Sequence, residues 1–168
     1  MSDTVKKVIK EIVPFIAIII VVLLIKQFIV MPIQVNGDSM YPTLKDGDLM
    51  LLNKIGYSFG SINRFDIVVI DNDKSYIIKR VIGLPNETIK YEDKKLYIDG
   101  DLVEEPFLTG DNNTDDFTTV VPEDSYFVMG DNRSISLDSR SLGSFSASKI
   151  KGKTSFTFFP FDRFGFKS

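Results

Sequence analysis

The chain has 168 residues, of which 43% are hydrophobic, and a formal net charge of −3 at pH 7. This length supplies one well-packed domain and a short additional segment, but not two large domains. The sequence contains neither histidine nor cysteine, which excludes Ser-His-Asp triads, Cys-His pairs and metal sites built on these residues. The charge provides no basic surface for nucleic acid, so we expect no such partner.

The first predicted element is a membrane anchor. Ile12–Ile25 contains no polar side chain, and after Lys26-Gln27 the apolar character resumes over Phe28–Ile33. A helix needs roughly 20 apolar residues to cross the hydrocarbon core of a bilayer. Because the run is apolar on every face rather than along one stripe, a buried soluble helix is disfavoured. The sequence therefore predicts a transmembrane anchor over residues 12–33.

The charges around the anchor predict its direction. Lys6, Lys7 and Lys10 precede it, and no basic residue occurs between its end and Leu44. The positive-inside rule then keeps residues 1–11 in the cytoplasm and predicts an extracytoplasmic domain over residues 34–168. A cleavable signal peptide is the alternative, but the apolar run is long for one and no small-x-small cleavage site follows.

A candidate nucleophile follows the anchor in the stretch Gly37-Asp38-Ser39-Met40-Tyr41-Pro42-Thr43-Leu44. A serine hydroxyl reacts only when a neighbouring base removes its proton, and histidine, the usual base, is missing. If Ser39 reacts, a lysine or a carboxylate must activate it. Taken alone, a Gly-Asp-Ser string usually marks an ordinary turn serine and nothing more.

The rest of the chain is predicted to be mostly β, because short apolar runs alternate with Gly, Asn, Asp and Pro. Asp99-Gly100 and Lys94-Lys95 flank a predicted hairpin, and Leu108–Asp116 is predicted to be a loop. The predicted strands are Leu49–Asn53, Asp66–Ile70, Tyr76–Ile82, Thr88–Tyr91, Leu96–Ile98, Phe117–Val120, Tyr126–Met129 and Ser155–Phe159.

One of these strands carries the candidate base. Lys79 lies within Tyr76–Ile82, a β-branched run typical of a buried strand. Burial disfavours the ammonium form and can lower the pKa of a lysine by up to about 3–5 units, which makes the amine available as a base. Since successive strand side chains point to opposite faces, Arg80 should face away from Lys79, towards solvent or a carboxylate.

Three motifs together resemble the type I signal peptidases, membrane-anchored Ser-Lys proteases that remove signal peptides from exported proteins. They are Ser39-Met40-Tyr41-Pro42-Thr43 after an apolar segment, Lys79-Arg80-Val81-Ile82-Gly83-Leu84-Pro85, and Gly130-Asp131-Asn132-Arg133 continuing through Ser136 to Asp138-Ser139-Arg140. The resemblance spans nearly the whole chain. Each motif is weak alone, whereas their order and separation are specific.

The resemblance implies roles for individual residues. Ser39 would be the nucleophile and Lys79 the general base. The hydroxyl of Ser136 would form a hydrogen bond with the lysine amine and orient it, although the polar run around Ser136 by itself slightly favours an ordinary loop serine. Asp138, Arg140 and Arg80 would hold the site together, and the backbone N–H of Ser39 would be the first oxyanion donor. Some members have a hydroxyl side chain two residues before the nucleophile as the second donor.

This sequence departs from the family pattern at two positions. Gly37 removes that side-chain oxyanion donor and leaves the second donor unassigned. Pro85-Asn86-Glu87 replaces a common Pro-Gly-Asp, although asparagine tolerates positive φ and should preserve the turn. The resemblance also implies an inserted subdomain between the second and third motifs, expected here to be small, at roughly residues 99–122.

The C-terminal stretch is rich in phenylalanine. Core strand packing is expected for the first three of these residues, whereas the remainder fit either the core or a membrane interface. The residues are Phe156, Phe158, Phe159, Phe161, Phe164 and Phe166.

The resemblance implies a membrane-bound serine endopeptidase with a signal-peptidase-like β-sheet or partial barrel, located at the cell membrane. It would act on exported preproteins, contact membrane lipid and need no metal or cofactor. Small substrate residues would bind as part of an added strand in shallow pockets, with Ile33, Val35 and Met40 as expected walls. The alternatives are a peptidase specialised for a few surface or pilin-like proteins, and an anchored β-domain that binds peptides without cutting them; a self-cleaving repressor-type domain is disfavoured by the anchor.

Overall fold

The N-terminal helix α1 comprises Asp3–Phe28 of this computed structural model, which describes residues 3–28, 30–54, 62–109 and 113–167. Large apolar side chains between Ile12 and Leu23 are each about half exposed or more. Within the described ranges, no helix combines the length and the apolar character needed to span a membrane. The predicted anchor is therefore not demonstrated by the helix as described.

In the described part of the chain, α1 is followed by twelve strands and by a second helix, which is short. The helix α2 is Ser139–Leu142, and single 3-10 turns occupy Ala147–Lys149 and Phe161–Arg163. The strands are β1 Val30–Gln34, β2 Leu49–Asn53, β3 Ile67–Asp71, β4 Tyr76–Gly83, β5 Thr88–Glu92, β6 Lys95–Ile98, β7 Asp101–Val103, β8 Phe117–Val120, β9 Ser125–Met129, β10 Phe145–Ser146, β11 Ile150–Phe159 and β12 Gly165–Phe166. The prediction of a mostly β chain is confirmed.

The larger sheet has the order β1-β2-β11-β3-β4-β9-β10, with β12 paired to β11, and it curls into a half-barrel. Neighbouring strands are antiparallel. In the centre of this sheet β3 pairs with β4, and Val68 is opposite Lys79. The predicted base therefore lies on a strand that has a hydrogen-bonded neighbour on each side.

The first strand replaces the end of the predicted anchor. Residues 30–33 were expected to continue the apolar helix, but they pair with β2, with Val30 opposite Asn53 and Gln34 opposite Leu49. Pro32 provides the physical reason, because its missing N–H breaks a helix interior yet is tolerated on an edge strand. Apolar character alone did not distinguish the helix from the edge strand that follows it.

The smaller sheet has the order β7-β6-β5-β8. Its two-residue turns contain positive φ angles, 50° and 62° at Asp93 and Lys94, and 52° and 97° at Asp99 and Gly100. This conformation matches the twist of hairpin strands. The turn at Asp99-Gly100 lies where it was predicted, whereas the other turn lies one residue before the predicted Lys94-Lys95, because Lys95 begins β6. The predicted insertion, residues 99–122, contains β7 and β8, but their sheet partners β5 and β6 precede it. Of the predicted loop around residue 110, residues 110–112 lie outside the described residues.

The eight predicted strands all have an observed counterpart, and the largest boundary difference is in β11. This strand begins at Ile150 rather than Ser155, because Lys151 and Lys153 point outward while the intervening positions are buried. Gly152 allows the close approach of β2, since a Cβ there would lie 2.4 Å from the carbonyl oxygen of Asn53. Short strands β1, β7, β10 and β12 were not predicted.

A compact apolar cluster supports the segment that carries Ser39. Its buried members are Val35, Met40, Leu44, Met50 and Ile67, and Ile33 and Ile78 pack against it. Val35 and Met40 are thus core residues with 3% and 1% exposure, whereas Ile33 is half-buried. The cluster fixes the segment against the centre of the larger sheet.

Candidate active site

Ser39 lies on a closed loop formed by residues 35–48. The loop ends meet through hydrogen bonds from the N–H of Val35 to the Asp48 carbonyl, 2.8 Å, and from the N–H of Gly47 to the Val35 carbonyl, 2.9 Å. Buried Met40 and Leu44 anchor its interior side. This closure presents the half-buried Ser39 towards β4.

Lys79 reaches Ser39 from β4. Its Nζ lies 2.7 Å from Ser39 Oγ and also donates to the Ile78 carbonyl over 3.0 Å. Lys79 is 4% exposed, and burial lowers its pKa from an ordinary 10.5 to about 8, although the carboxylates of Asp138 and Asp131 oppose the shift. A substantial fraction of the amine is therefore neutral near pH 8 and able to accept the hydroxyl proton.

Arg80, the next residue, is bound to a carboxylate. Its side chain is 1% exposed, and Nε and Nη2 donate to the two oxygens of Asp131 over 2.9 and 2.7 Å. A third donor, Nη1, reaches the Phe65 carbonyl at 3.0 Å, and the guanidinium lies 4.0 Å from the centre of the Phe107 ring. Arg80 thus meets a carboxylate, one of the two environments expected for it.

The segment after β9 clamps the Ser39 loop at two points. The N–H of Asn132 donates to the carbonyl of Ser39 over 3.0 Å. Asp131 accepts the hydroxyl of Thr43 over 2.6 Å as well as the guanidinium of Arg80. The third sequence motif therefore connects the nucleophile loop to the strand that carries the lysine.

Ser136 lies beside this clamp. A Cβ at Gly130 would lie 2.3 Å from Ser136 Oγ and 2.4 Å from the carbonyl oxygen of Ser39, so both atoms adjoin the same glycine. The Ser136 hydroxyl is buried close enough to Asp138 to help lower the pKa of that carboxyl, but it has no hydrogen-bond partner of normal geometry among the described residues. Lys79 bonds to Ser39 and Ile78 instead, so the expected contact between Ser136 and Lys79 is not formed in this arrangement.

Asp138 and Arg140 form a supporting pair. Arg140 Nε and Nη2 donate to Asp138 over 2.9 Å each, and the N–H of Gly130 donates to the same carboxylate over 3.0 Å. Burial by itself would raise the pKa of Asp138, but these hydrogen bonds outweigh it and lower the pKa below its ordinary value. The carboxylate therefore stays charged and fixes Gly130 next to Ser39.

The contacts of two arginines near the site were not predicted from the sequence. Arg133 donates to Glu105 and to the hydroxyl of Tyr91, joining the third motif to the smaller sheet. Arg163, near the C-terminus, binds Asp48 in the Ser39 loop. Both arginines meet partners distant in sequence, so no local pattern indicates either contact.

The position of Gly37 bears on the oxyanion site. Its φ angle is 81°, which favours glycine, and its N–H donates to Asp46 over 2.7 Å. Gly37 thus shapes the turn before Ser39 without supplying a side-chain donor. The second oxyanion donor stays unassigned.

An open groove of about 660 Å³ lies along the larger sheet, and the described residues that line it do not include Ser39 or Lys79 themselves. Asn36 and Ile78, at its lining, are close in sequence to Ser39 and Lys79. Its other apolar walls come from the larger sheet and comprise Met31, Ile33, Leu52, Val69 and Ile150. The groove is flanked by β1, an edge strand of the larger sheet.

Comparison with known proteins identifies the family. Residues 6–159 match the model of the family described as signal peptidase, peptidase S26. The chain is 44% identical over 156 residues to signal peptidase I S of Bacillus subtilis strain 168, covering 86% of this chain and 85% of that protein. It is 37% identical over 178 residues to signal peptidase IB of Staphylococcus aureus strain COL, with coverage of 95% and 93%.

A solved structure is also similar. The crystal structure of a signal peptidase I from Enterococcus faecalis V583 superposes with a TM-score of 0.52 and is 37% identical, covering 55% of this chain and 96% of that one. The resemblance drawn from the three motifs is thereby confirmed, and with it the prediction of a signal-peptidase-type serine endopeptidase. The chain belongs to the signal peptidase family, peptidase S26.

Proposed function

We propose that this chain cleaves signal peptides from exported preproteins, with Ser39 as the nucleophile and Lys79 as the general base. The observation that carries the proposal is the 2.7 Å separation of Ser39 Oγ and Lys79 Nζ. The burial of the amine and its pKa of about 8 support the assignment, because a general base works best when its pKa lies near the working pH.

The reaction follows from this geometry. The neutral amine of Lys79 takes the proton of the Ser39 hydroxyl while the oxygen attacks the scissile carbonyl carbon. The resulting ammonium protonates the leaving amine as the C–N bond breaks, and the signal peptide remains as an ester on Ser39. Lys79, neutral again, then takes a proton from water, whose oxygen attacks the ester, and returns that proton to Ser39 as the ester bond breaks.

The developing oxyanion would be bound by the N–H of Ser39, and the surrounding residues would hold the reacting pair. Ser136 is proposed as a positioning residue, since its buried hydroxyl lies beside Gly130 and near the Asp138 carboxylate. Asp138 and Arg140 fix Gly130. Arg80 acts through Asp131 on Thr43 of the nucleophile loop.

The substrate would lie extended in the groove beside β1. Its apolar walls suit small side chains, and the unpaired edge of β1 offers backbone groups to an added strand. Ile33 and Ile78 both line this groove, whereas Val35 and Met40, almost fully buried, shape it from beneath. Signal-peptide recognition would then combine backbone pairing with pockets of limited size.

The proposed location is the cell membrane, with residues 1–11 in the cytoplasm and the body from residue 34 outside. Supporting features are the unbroken apolar sequence of residues 12–25 and the exposed apolar side chains of α1. Phe161 and Phe166, 80% and 81% exposed, offer a second apolar contact with lipid. Given β1, the anchor would end by about residue 28.

Cleavage of a purified preprotein by the full chain in detergent tests the reaction. We expect Ser39→Ala and Lys79→Ala each to abolish cleavage at the signal-peptide junction. Ser148→Ala and Lys90→Ala, at exposed positions, are the matched controls and should retain activity. A wild-type chain that binds preproteins without cutting any member of a broad panel would instead support the peptide-binding alternative, and cleavage of one surface protein alone would indicate specialisation.

Membrane placement has its own test. In cells expressing the full chain, alkaline extraction should leave the protein in the membrane pellet. Protease added outside should remove the region after residue 34 and spare a short N-terminal fragment. Recovery of the intact chain in the soluble fraction would contradict the anchor, without affecting the assignment of Ser39 and Lys79.

A further inference from the structure

We infer that Arg163 is a positioning residue for acyl transfer, because it fastens the C-terminal turn to the loop that carries Ser39. The inference rests on the proposed function, since it concerns the geometry of the same nucleophile. Arg163 is 115 residues away from its carboxylate partner in sequence. The loop that carries Ser39 is therefore held in part by a residue near the C-terminus and not only by its own contacts.

The guanidinium of Arg163 binds two groups of the loop at once. Nε donates to the carboxylate oxygens of Asp48 over 2.9 and 3.1 Å, and Nη2 donates to the same carboxylate over 2.9 Å. Nη2 also donates to the carbonyl oxygen of Thr43 over 3.0 Å. Such a rigid fork of donors fixes both direction and distance, which a single ammonium cannot do.

Asp48 is the residue at which the loop closes. It is 1% exposed, its carboxylate accepts the N–H of Lys45 over 3.0 Å, and its carbonyl accepts the N–H of Val35 over 2.8 Å. A buried carboxylate needs a charged partner, and Arg163 supplies it. Removing that partner should loosen the loop at its base.

Thr43 extends the effect towards the nucleophile. Its carbonyl is held by Arg163 and its hydroxyl by Asp131, so the loop is gripped from two sides four residues after Ser39. If the Arg163 side is released, Thr43 is still held through Asp131, and buried Met40 and Leu44 still anchor the loop. The carbonyl of Thr43 and the carboxylate of Asp48, however, both lose the guanidinium that joins them. A displacement of about 1 Å between reacting groups can cost roughly 100-fold in rate.

A second arginine provides a matched control for an arginine–carboxylate pair that stabilises the fold without contacting the Ser39 loop. Arg64 binds Glu87 through two donors, at 2.9 and 2.6 Å, and also reaches the Ile82 carbonyl over 2.7 Å. The exposed fractions of the arginine side chains are similar, 22% for Arg64 and 17% for Arg163. Arg64 thereby joins the segment before β3 to the end of β4 and to the turn before β5, and these hydrogen bonds, among the described residues, do not reach the 35–48 loop.

The experiment compares Arg163→Gln, Arg163→Lys and Arg64→Gln in the full chain, using steady-state cleavage of a preprotein at a temperature where each variant is folded. We expect Arg163→Gln to lower kcat by about 10-fold or more while KM changes by less than about 2-fold. Arg163→Lys should recover part of the loss, since it keeps the charge near Asp48. Arg64→Gln should lose stability with kcat unchanged.

Hydrogen exchange distinguishes local loosening of the loop from a loss of global stability. The N–H of Leu44, bonded to the Met40 carbonyl over 2.9 Å, should exchange faster in Arg163→Gln than in Arg64→Gln when the two are compared at equal global stability. If Arg163→Gln does not fold, Arg163→Lys and Asp48→Asn take its place, and both should lower kcat and speed this exchange.

Equal kcat in the Arg163 variants and in Arg64→Gln would overturn the inference, as would unchanged exchange at Leu44. Failure of the proposed function looks different. In that case the wild-type chain fails to cleave, or Ser39→Ala retains cleavage, whatever residue occupies position 163.

Discussion

Lys79 Nζ lies 2.7 Å from Ser39 Oγ although the two residues are 40 positions apart. One sits in the centre of a sheet and the other on a closed loop whose interior side chains pack against that sheet. The contact is therefore a product of tertiary packing. It also places the Lys79 amine, whose pKa is lowered, within hydrogen-bonding distance of the Ser39 hydroxyl. This hydroxyl is the group that the amine must deprotonate in the first step of the reaction.

The pH dependence of cleavage should follow the amine of Lys79. Since the neutral form is the base and the pKa of Lys79 is about 8, kcat/KM should fall about tenfold for each pH unit below that value and level off above it. Rates measured from pH 5.5 to 9.5 on a folded enzyme check this. A flat profile between pH 6 and 9, or an inflection near 10.5, would contradict the assignment of the base.

Replacing the lysine should stabilise the fold while abolishing activity. A pKa lowered from 10.5 to about 8 means that the unfolded chain binds more protons between these values, so wild-type stability rises as the pH increases through this window. Below pH 8 the full cost of burying the amine, about 3 kcal/mol, opposes folding. Lys79→Met should remove most of it.

Denaturant unfolding at several pH values measures this effect. Lys79→Met should be more stable than the wild type at pH 7, and the gap should narrow as the pH rises from 8 towards 10.5. Exposed Lys90 provides the control, because Lys90→Met should show no comparable gain. A Lys79→Met variant less stable than the wild type at pH 7 would mean that the hydrogen bonds of the amine outweigh its desolvation.

The ion pair of Arg80 and Asp131 should be essential for folding. Both side chains are almost completely buried, and breaking such a pair leaves an uncompensated charge, which typically costs about 3–5 kcal/mol. Asp131→Asn should destabilise the chain by about that amount in a chemical denaturation experiment. Glu92→Gln breaks the exposed pair with Lys90 and should have no measurable effect; similar losses in both variants would refute the distinction.

Gly130 should tolerate no side chain. A Cβ there would lie 2.4 Å from the Ser39 carbonyl oxygen and 2.3 Å from Ser136 Oγ, so Gly130→Ala must displace the nucleophile loop. We expect cleavage to fall by about 100-fold or more. Gly83→Ala is the control, since its Cβ would meet the side chains of Ile89 and Val121 away from Ser39, and it should lose stability but retain most of its kcat.

The sequence predicted the strand of Lys79 well because β4 is long, β-branched and bounded by turn residues. It predicted the hairpin at Asp99-Gly100 for a similar reason, since this dipeptide suits positive φ. Both features are local. The family motifs then selected Ser39 and Lys79 from many serines and lysines, which propensity alone could not do.

Features that depend on distant partners could not be predicted in this way. In the sequence Arg163 is a single charged residue among phenylalanines, yet its guanidinium binds the carboxylate of Asp48, 115 residues earlier. The expected core packing of Phe159 was wrong, because it is 46% exposed. Phe159 still pairs with Leu49, but the pairing of β11 with β2 shifts register between Thr157 and Phe159, and no local pattern shows where such a shift occurs.

Formation of the acyl-enzyme on Ser39 can be followed by rapid-quench peptide mapping. The enzyme is mixed with a preprotein, quenched in acid within milliseconds to seconds, digested and analysed by mass spectrometry. The account predicts a transient acyl adduct on the peptide containing residues 27–45, located on Ser39 and missing from Ser39→Ala. An adduct on another residue, or single-turnover cleavage by Ser39→Ala at the wild-type rate, would contradict it.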